Sequence, residues 1–216
     1  MSQLRGSGPR TRRLEATLSR REKLPREERV ALDAKTLRRL ARPRAVVYTD
    51  TADFTRHAAR DGIVHFMMVF GRALRALAPA FRGAGGRLVK VEADSLMLAF
   101  PDPVSACRGV DAMERALRAV NRGRDDDEKL AFSYGIGFGD VLELEEDLFG
   151  LEVNLASKLG EDLGRPGETL LTPAAVAALP PAWRRRLAPY GAANFAGRPM
   201  AVHRLCPSRS SGGKTR

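Results

Sequence analysis

The chain has 216 residues, enough for one well-buried domain of roughly 150 residues with appendages. It carries 37 Lys/Arg against 26 Asp/Glu for a net charge of +11, but residues 1–44 hold 14 of the cations and only 5 acids, and residues 207–216 add three cations and no acid, so the basicity belongs to the ends. No apolar run approaches the ~18 residues of a membrane span, the start lacks a signal-peptide core, and Cys107 and Cys206 fit no metal or redox spacing, so the expected setting is cytoplasmic, with no membrane span.

Along the chain, the first ~25 residues, rich in Arg, Ser and Gly with Pro9 and Pro25, read as disordered. Val30, Leu32, Leu37 and Leu40 then recur at roughly helical spacing within residues 26–41, and Pro43 stops that helix ahead of a strand at about residues 45–49. Residues 1–44 therefore form a basic arm, residues 45–206 the globular domain and residues 207–216 a basic tail. Ile63, Phe66, Met67, Phe70, Leu74 and Leu77 mark a helical stripe over residues 61–77. Strands follow at 87–92 and 96–100, so close that they must form a hairpin with Ala93, Asp94 and Ser95 at its tip. Pro103 opens a helix over residues 104–120, and the acidic residues 125–128 read as an exposed loop. Strands are expected at 130–137 and 141–144 around Gly139, a helix at 152–163, a strand at 169–171, a short helix at 173–178 and a last strand at 200–205. The order βαββαβ followed by further elements predicts an α+β domain, ferredoxin-like at its centre, whose antiparallel-containing sheet carries its helices on one face.

Two aspartates stand at the borders of apolar strands: Asp50 in Ala-Val-Val-Tyr-Thr-Asp-Thr-Ala-Asp-Phe-Thr, and Asp94 in Val-Lys-Val-Glu-Ala-Asp-Ser-Leu-Met-Leu. A carboxylate at the end of a buried strand needs a partner, because desolvating an unpaired charge costs several kcal/mol or more, and two of them invite a divalent cation. A third phrase, Asp147-Leu-Phe-Gly-Leu-Glu-Val-Asn154-Leu-Ala-Ser-Lys158, lies downstream. Taken together, these phrases resemble the catalytic domain of class III nucleotide cyclases over about residues 45–180. Asp50, Phe54 and Thr55 match the family's Phe-x-Asp-Ile-x-Gly-Phe-Thr, Lys90 precedes Asp94 by four residues as in its adenylate-specific members, and Asp147 and Asn154 match Asp-Ile-Trp-Gly-x-x-Val-Asn-x-Ala-x-Arg.

What the resemblance implies is an adenylate cyclase. Asp50, Asp94 and the carbonyl of Thr51 would hold two Mg²⁺ or Mn²⁺ ions, and Phe54 and Thr55 would border the triphosphate of ATP. Lys90 and Asp147 would read the adenine, and Asn154 would orient the ribose. Lys158 stands where the family uses Arg to stabilise the transition state. The metal residues come from one subunit and the base-reading residues from the other, which implies a head-to-tail homodimer. Three departures from the family point to a second reading, a nucleotide-binding homologue with little turnover: Asp53 for Gly, Glu92-Ala93 for Ile-Gly, and Lys158 for Arg. Glu92 stands two residues before Asp94, a spacing that on a strand shares one face, and is expected either to join the ion site or to form a salt bridge nearby. A third reading assigns residues 1–44 to nucleic acid or another anionic partner. The three histidines lack zinc or triad spacing, and no Gly-x-x-x-x-Gly-Lys-Ser/Thr phosphate loop occurs.

Overall fold

The computed structural model describes residues 8–52 and 54–207, with backbone only for residues 54–57. Two helices lead, α1 (Pro9–Glu22) and α2 (Arg26–Leu40), followed by β1 (Ala41–Thr51), α3 (Phe54–Asp61), α4 (Ile63–Gly83), β2 (Arg87–Glu92), β3 (Ser95–Phe100) and α5 (Pro103–Asn121). Then come β4 (Phe132–Glu143), β5 (Leu148–Phe149), α6 (Leu151–Lys158), β6 (Thr169–Leu171), α7 (Pro173–Ala178), α8 (Pro181–Arg184), β7 (Leu187–Phe195) and β8 (Arg198–Leu205). The sheet runs β2-β3-β1-β4-β6-β8-β7, with β5 paired to β4. Among the described residues only the β4–β6 pairing is parallel. The first four strands in the order β2-β3-β1-β4, joined through α4 and α5, form the ferredoxin-like βαββαβ centre.

Alternation along β1 divides the molecule into two layers. Ala45 and Val47 face a core built from α4 and α5, with Phe66, Phe70, Leu77, Phe81, Val110 and Met113 packed behind β3 and β4. Val46 and Tyr48 face the other way, against Val153 and Ala156 of α6. Helices therefore cover both faces of the sheet, where the sequence pattern predicts one. The reason lies in the middle of β4, where the residues on that second face are Gly135, Gly137 and Gly139. A Cβ built on Gly135 would stand 1.9 Å from the carbonyl oxygen of Ala156, and one on Gly137 would stand 2.4 Å from that of Glu152. The backbone of α6 thus lies directly on the strand, closer than any side chain would permit.

Gly139 belongs to the same stripe and does not interrupt the strand; β4 is continuous where two strands are expected. The helix expected over 152–163 is α-helical only to Lys158 and widens into a π-helical turn at Leu159–Leu163. Strand β7 and helices α1, α3 and α8 have no counterpart in the sequence reading. Capping explains α5 well: Pro103 takes its first turn, and Asp102 accepts from the Ser105 amide at 2.9 Å.

The acidic stretch contains one 3₁₀ turn, Asp126–Glu128, and Glu128 is bonded to Arg72 and Arg124. By length and composition alone, one helix among the described residues, α4, is long and apolar enough to cross a membrane. One stripe of it, including Phe66, Phe70, Ala73, Leu77 and Phe81, is buried in the main core, while Ile63, Val64, Met67 and Met68 are exposed.

The basic arm is helical where disorder is expected. Helix α1 starts at Gly8 without a side-chain cap of its own, and Glu145, in the β4–β5 loop, supplies one. Its carboxylate accepts from the Arg10 amide at 2.7 Å, the Thr11 amide at 3.1 Å and the Thr11 hydroxyl at 2.8 Å. Desolvation works against ionisation there, yet these hydrogen bonds hold the carboxyl down at about 2. Beneath this cap, Leu14 and Leu40 pack on Leu144. Nearby Glu143, almost fully buried, faces Arg44 at 2.9 Å and Arg87 at 3.0 Å, with Arg10 at 3.7 Å.

Candidate active site

The site begins at the C-terminal end of β1. Register fixes it: Thr49 pairs with Leu96 of β3, and the Thr49 hydroxyl accepts from the Leu96 amide at 3.0 Å. The next residue out on β1 is Asp50, and the turn Ala93-Asp94 that closes the β2–β3 hairpin folds over it. Ala93 takes φ 53, a left-handed conformation unusual for a residue with a side chain, and this tight turn sets the aim of Asp94. The Ser95 hydroxyl donates to Asp50 Oδ1 at 3.4 Å, and the Thr51 hydroxyl donates to Asp94 Oδ2. Residues 44 apart in sequence are thus brought together by the strand pairing.

Electrostatics mark this corner. Burial pushes the Asp50 carboxyl up to about 6, the charges of Asp94 and Glu161 push the same way, and the Ser95 hydroxyl opposes them. Burial, with Glu161 next, also raises the Tyr48 phenol. Sequence reasoning missed Glu161, although it lies seven residues after Asn154 and three after Lys158, a spacing that returns to one helix face.

Because Asp50 holds its proton to a higher pH in the folded than in the unfolded chain, the stability it contributes is complete below about 4 and lost as pH rises through about 6. Denaturant titrations of the metal-free protein across that window should show stability falling as pH rises, and Asp50→Asn should flatten the slope. An unchanged slope would contradict the assignment of this strain to Asp50.

The donors here are hard oxygens, the kind that Mg²⁺ and Mn²⁺ prefer. Among the described residues no group of three or more His, Cys, Asp or Glu is placed to hold a metal ion. A cation would therefore rely on the two carboxylates, backbone oxygen and ligands from outside the chain. The chemistry fits: two crowded carboxylates, one of them titrating late, gain from a dication between them.

A second group is built from β2 and the β4–β5 loop. Lys90 Nζ stands 3.1 Å from Asp147 Oδ2 and 3.1 Å from Glu92 Oε2. Of the two expectations for Glu92, the salt bridge is the one found. Desolvation would lower the Lys90 pKa, but the bonds from Glu92 and Asp147 outweigh it and raise the pKa above the ordinary lysine value. The other oxygen of Asp147 accepts from the Leu148 amide at 2.8 Å, which fixes the carboxylate.

Asn154 is exposed on α6. Lys158, on the same face, is paired with Asp162 at 2.7 Å. Among the described residues no hydrogen bond or ion pair joins the aspartate corner to Lys90, Asp147, Asn154 or Lys158. The structure thus gathers Asp50, Thr51 and Asp94 in one place and Lys90 and Asp147 in another. Asp53 and the side chains of Phe54 and Thr55 lie outside the described residues.

No protein-family model matches the chain. The chain is 30% identical over 130 residues to a protein of Rhizobium meliloti (strain 1021) named "Putative adenylate cyclase 3", a match that takes in 60% of this chain and 22% of that protein. It therefore spans about a fifth of that relative's length. Among solved structures it superposes on an adenylate/guanylate cyclase/hydrolase from Silicibacter pomeroyi with a TM-score of 0.64 at 23% identity, covering 78% of this chain and 98% of that one. It also superposes on the catalytic core of a rhodopsin-guanylyl cyclase with converted specificity, solved with ATPαS, with a TM-score of 0.66 at 16% identity, covering 78% and 97%. The fold is that of the class III adenylate/guanylate cyclase catalytic domains. At 16–23% identity, the likeness to these solved structures is a likeness of fold.

Proposed function

We propose that residues 45–206 form the catalytic domain of an adenylate cyclase that converts ATP to 3′,5′-cyclic AMP and pyrophosphate, with residues 1–44 as an appended arm. The observation that carries this reading is the convergence of Asp50 and Asp94 at the end of β1, on a cyclase fold. In the reaction the ribose 3′-hydroxyl gives up its proton to water, its oxygen bonds to the α-phosphorus, the bond from that phosphorus to the bridging oxygen breaks, and pyrophosphate leaves with that oxygen. Two bound Mg²⁺ or Mn²⁺ ions would supply Lewis-acid chemistry for this displacement. Asp50 and Asp94, with the Thr51 carbonyl, would hold them.

The remaining residues bind and orient. Lys90 would donate to an adenine ring nitrogen while the Asp147 carboxylate accepts from the exocyclic amine, and their contact at 3.1 Å supports a shared target. Asn154 would orient the ribose, and Phe54 and Thr55 would border the triphosphate. Because the aspartate corner and the Lys90–Asp147 pair do not touch within one chain, the reading places each complete site across a head-to-tail homodimer. Purified protein incubated with Mn²⁺ and either ATP or GTP tests this directly: cyclic AMP formed in preference to cyclic GMP, at a rate rising more steeply than protein concentration, is the expected result. ATP bound without turnover at any protein concentration would sink the enzyme.

One observation favours the second reading, a nucleotide-binding homologue of low activity. Lys158 is a point charge where the family has a planar fork, and it is held by Asp162. Lys158→Arg should raise kcat by roughly tenfold if two-point contact with phosphate is what the site lacks. A fall in kcat would mean the site is built around lysine.

A further inference from the structure

Antiparallel helices α1 and α2 enclose a groove of 270 Å³ that belongs to neither group of site residues. Its walls carry Arg13 and Arg20 from α1 and Lys35 and Arg39 from α2, with Leu32 and Leu40 contributing to its lining. The positions repeat on both helices: Arg13 and Arg20 lie seven residues apart and Lys35 and Arg39 four, so each pair occupies one helix face. All four side chains are exposed, and among the described residues none of them makes an ion pair or a side-chain hydrogen bond. No carboxylate lines the groove. Asp33 of α2 is already bound by Arg21 of α1 through two bonds of 2.6 and 2.9 Å.

Opposed helices commonly set acids against bases, because like charges facing each other cost stability. Here four cations face one another, while the Arg21–Asp33 bridge and the Leu14–Leu40–Leu144 contacts hold the helices together. An anion between them would relieve the repulsion. Arginine forks match phosphoryl oxygens, and the groove is near the lower end of small-molecule sites, about 300 Å³, too small for a nucleic-acid duplex. We propose that this groove binds a small polyphosphate anion, of the inorganic triphosphate or nucleoside polyphosphate kind. The proposal does not rest on the cyclase reading.

Calorimetric titration of inorganic tripolyphosphate into the full chain tests it, in EDTA so that no metal–phosphate complex occupies the aspartate corner. Binding should be salt-sensitive and should raise the melting temperature. It should weaken at least about tenfold in the double variant Arg13→Ser/Arg39→Ser, and less than about twofold in Arg122→Ser/Arg165→Ser, which removes the same charge from exposed positions elsewhere. Circular dichroism would establish that both variants are folded. Absence of binding to the unaltered chain, or equal weakening in the two variants, would overturn the proposal. So would a single-stranded oligonucleotide that outcompetes tripolyphosphate and loses affinity in the Arg13/Arg39 variant, since the groove would then be part of a nucleic-acid surface.

Discussion

Asp94→Asn should reduce cyclic AMP formation by on the order of 10²–10³-fold while leaving the fold intact. The two effects separate because the carboxylate has two jobs. Its hydrogen bond from Thr51 survives in the amide, which still offers an acceptor oxygen. Its negative charge does not survive, and that charge is what a cation would need. The substitution also removes one of the charges that raise the Asp50 carboxyl, which should then titrate closer to an ordinary aspartate. Cyclic AMP measured beside thermal melts at neutral pH gives the answer: activity lost with a melting temperature unchanged or slightly higher. Turnover equal to the unsubstituted chain would remove Asp94 from the ion site, and a large fall in melting temperature would make its role structural.

The largest effect on stability should come from Gly135→Ala. The added methyl carbon would meet the Ala156 carbonyl oxygen at 1.9 Å and the Gly160 nitrogen at 2.7 Å, all backbone atoms that have no rotamer to escape into. Overpacking of this kind costs about 3 kcal/mol, because α6 must lift from the sheet to accommodate it. For a domain of this size that is a melting temperature lower by roughly 6–12 °C. Gly83→Ala is the matched control. A Cβ there meets nothing within 4 Å, and alanine is the better helix former at the end of α4. If the two variants melted together, the close approach of α6 would have no energetic weight.

Gly135 also shows what the sequence could and could not tell. A glycine in a strand reads as a break, and Gly139 was expected to divide β4 on that ground; alternating glycines opposite a helix instead make a continuous strand with one bare face. The hairpin from Arg87 to Phe100 was legible because alternation and a short turn are local signals, and Asp94 came with it. The short helix Pro173–Ala178 and the strand Thr169–Leu171 were legible for similar reasons. Helix α1 was not, because its cap is Glu145, about 135 residues away, and nothing near Pro9 announces it. Glu161 escaped notice because its importance depends on the π-helical turn and on how closely α6 approaches β1. The Lys90–Asp147 contact was expected only as a shared target for a base, and the direct ion pair, with Glu92 as third member, follows from side-chain reach that spacing alone does not determine.

The two members of the aspartate corner are rooted in different parts of the sheet. Asp50 sits on β1, which is flanked by β3 on one side and pairs along its whole length with β4 on the other. Asp94 sits at the tip of a hairpin whose outer member, β2, is an edge strand. Local opening costs least at edges and turns and most in central strands. One carboxylate is therefore anchored in the last part of the molecule to exchange its amide protons, while the other rides on a part that can open while the rest stays folded. The geometry of the pair is set by the hairpin, and its permanence by the central strand.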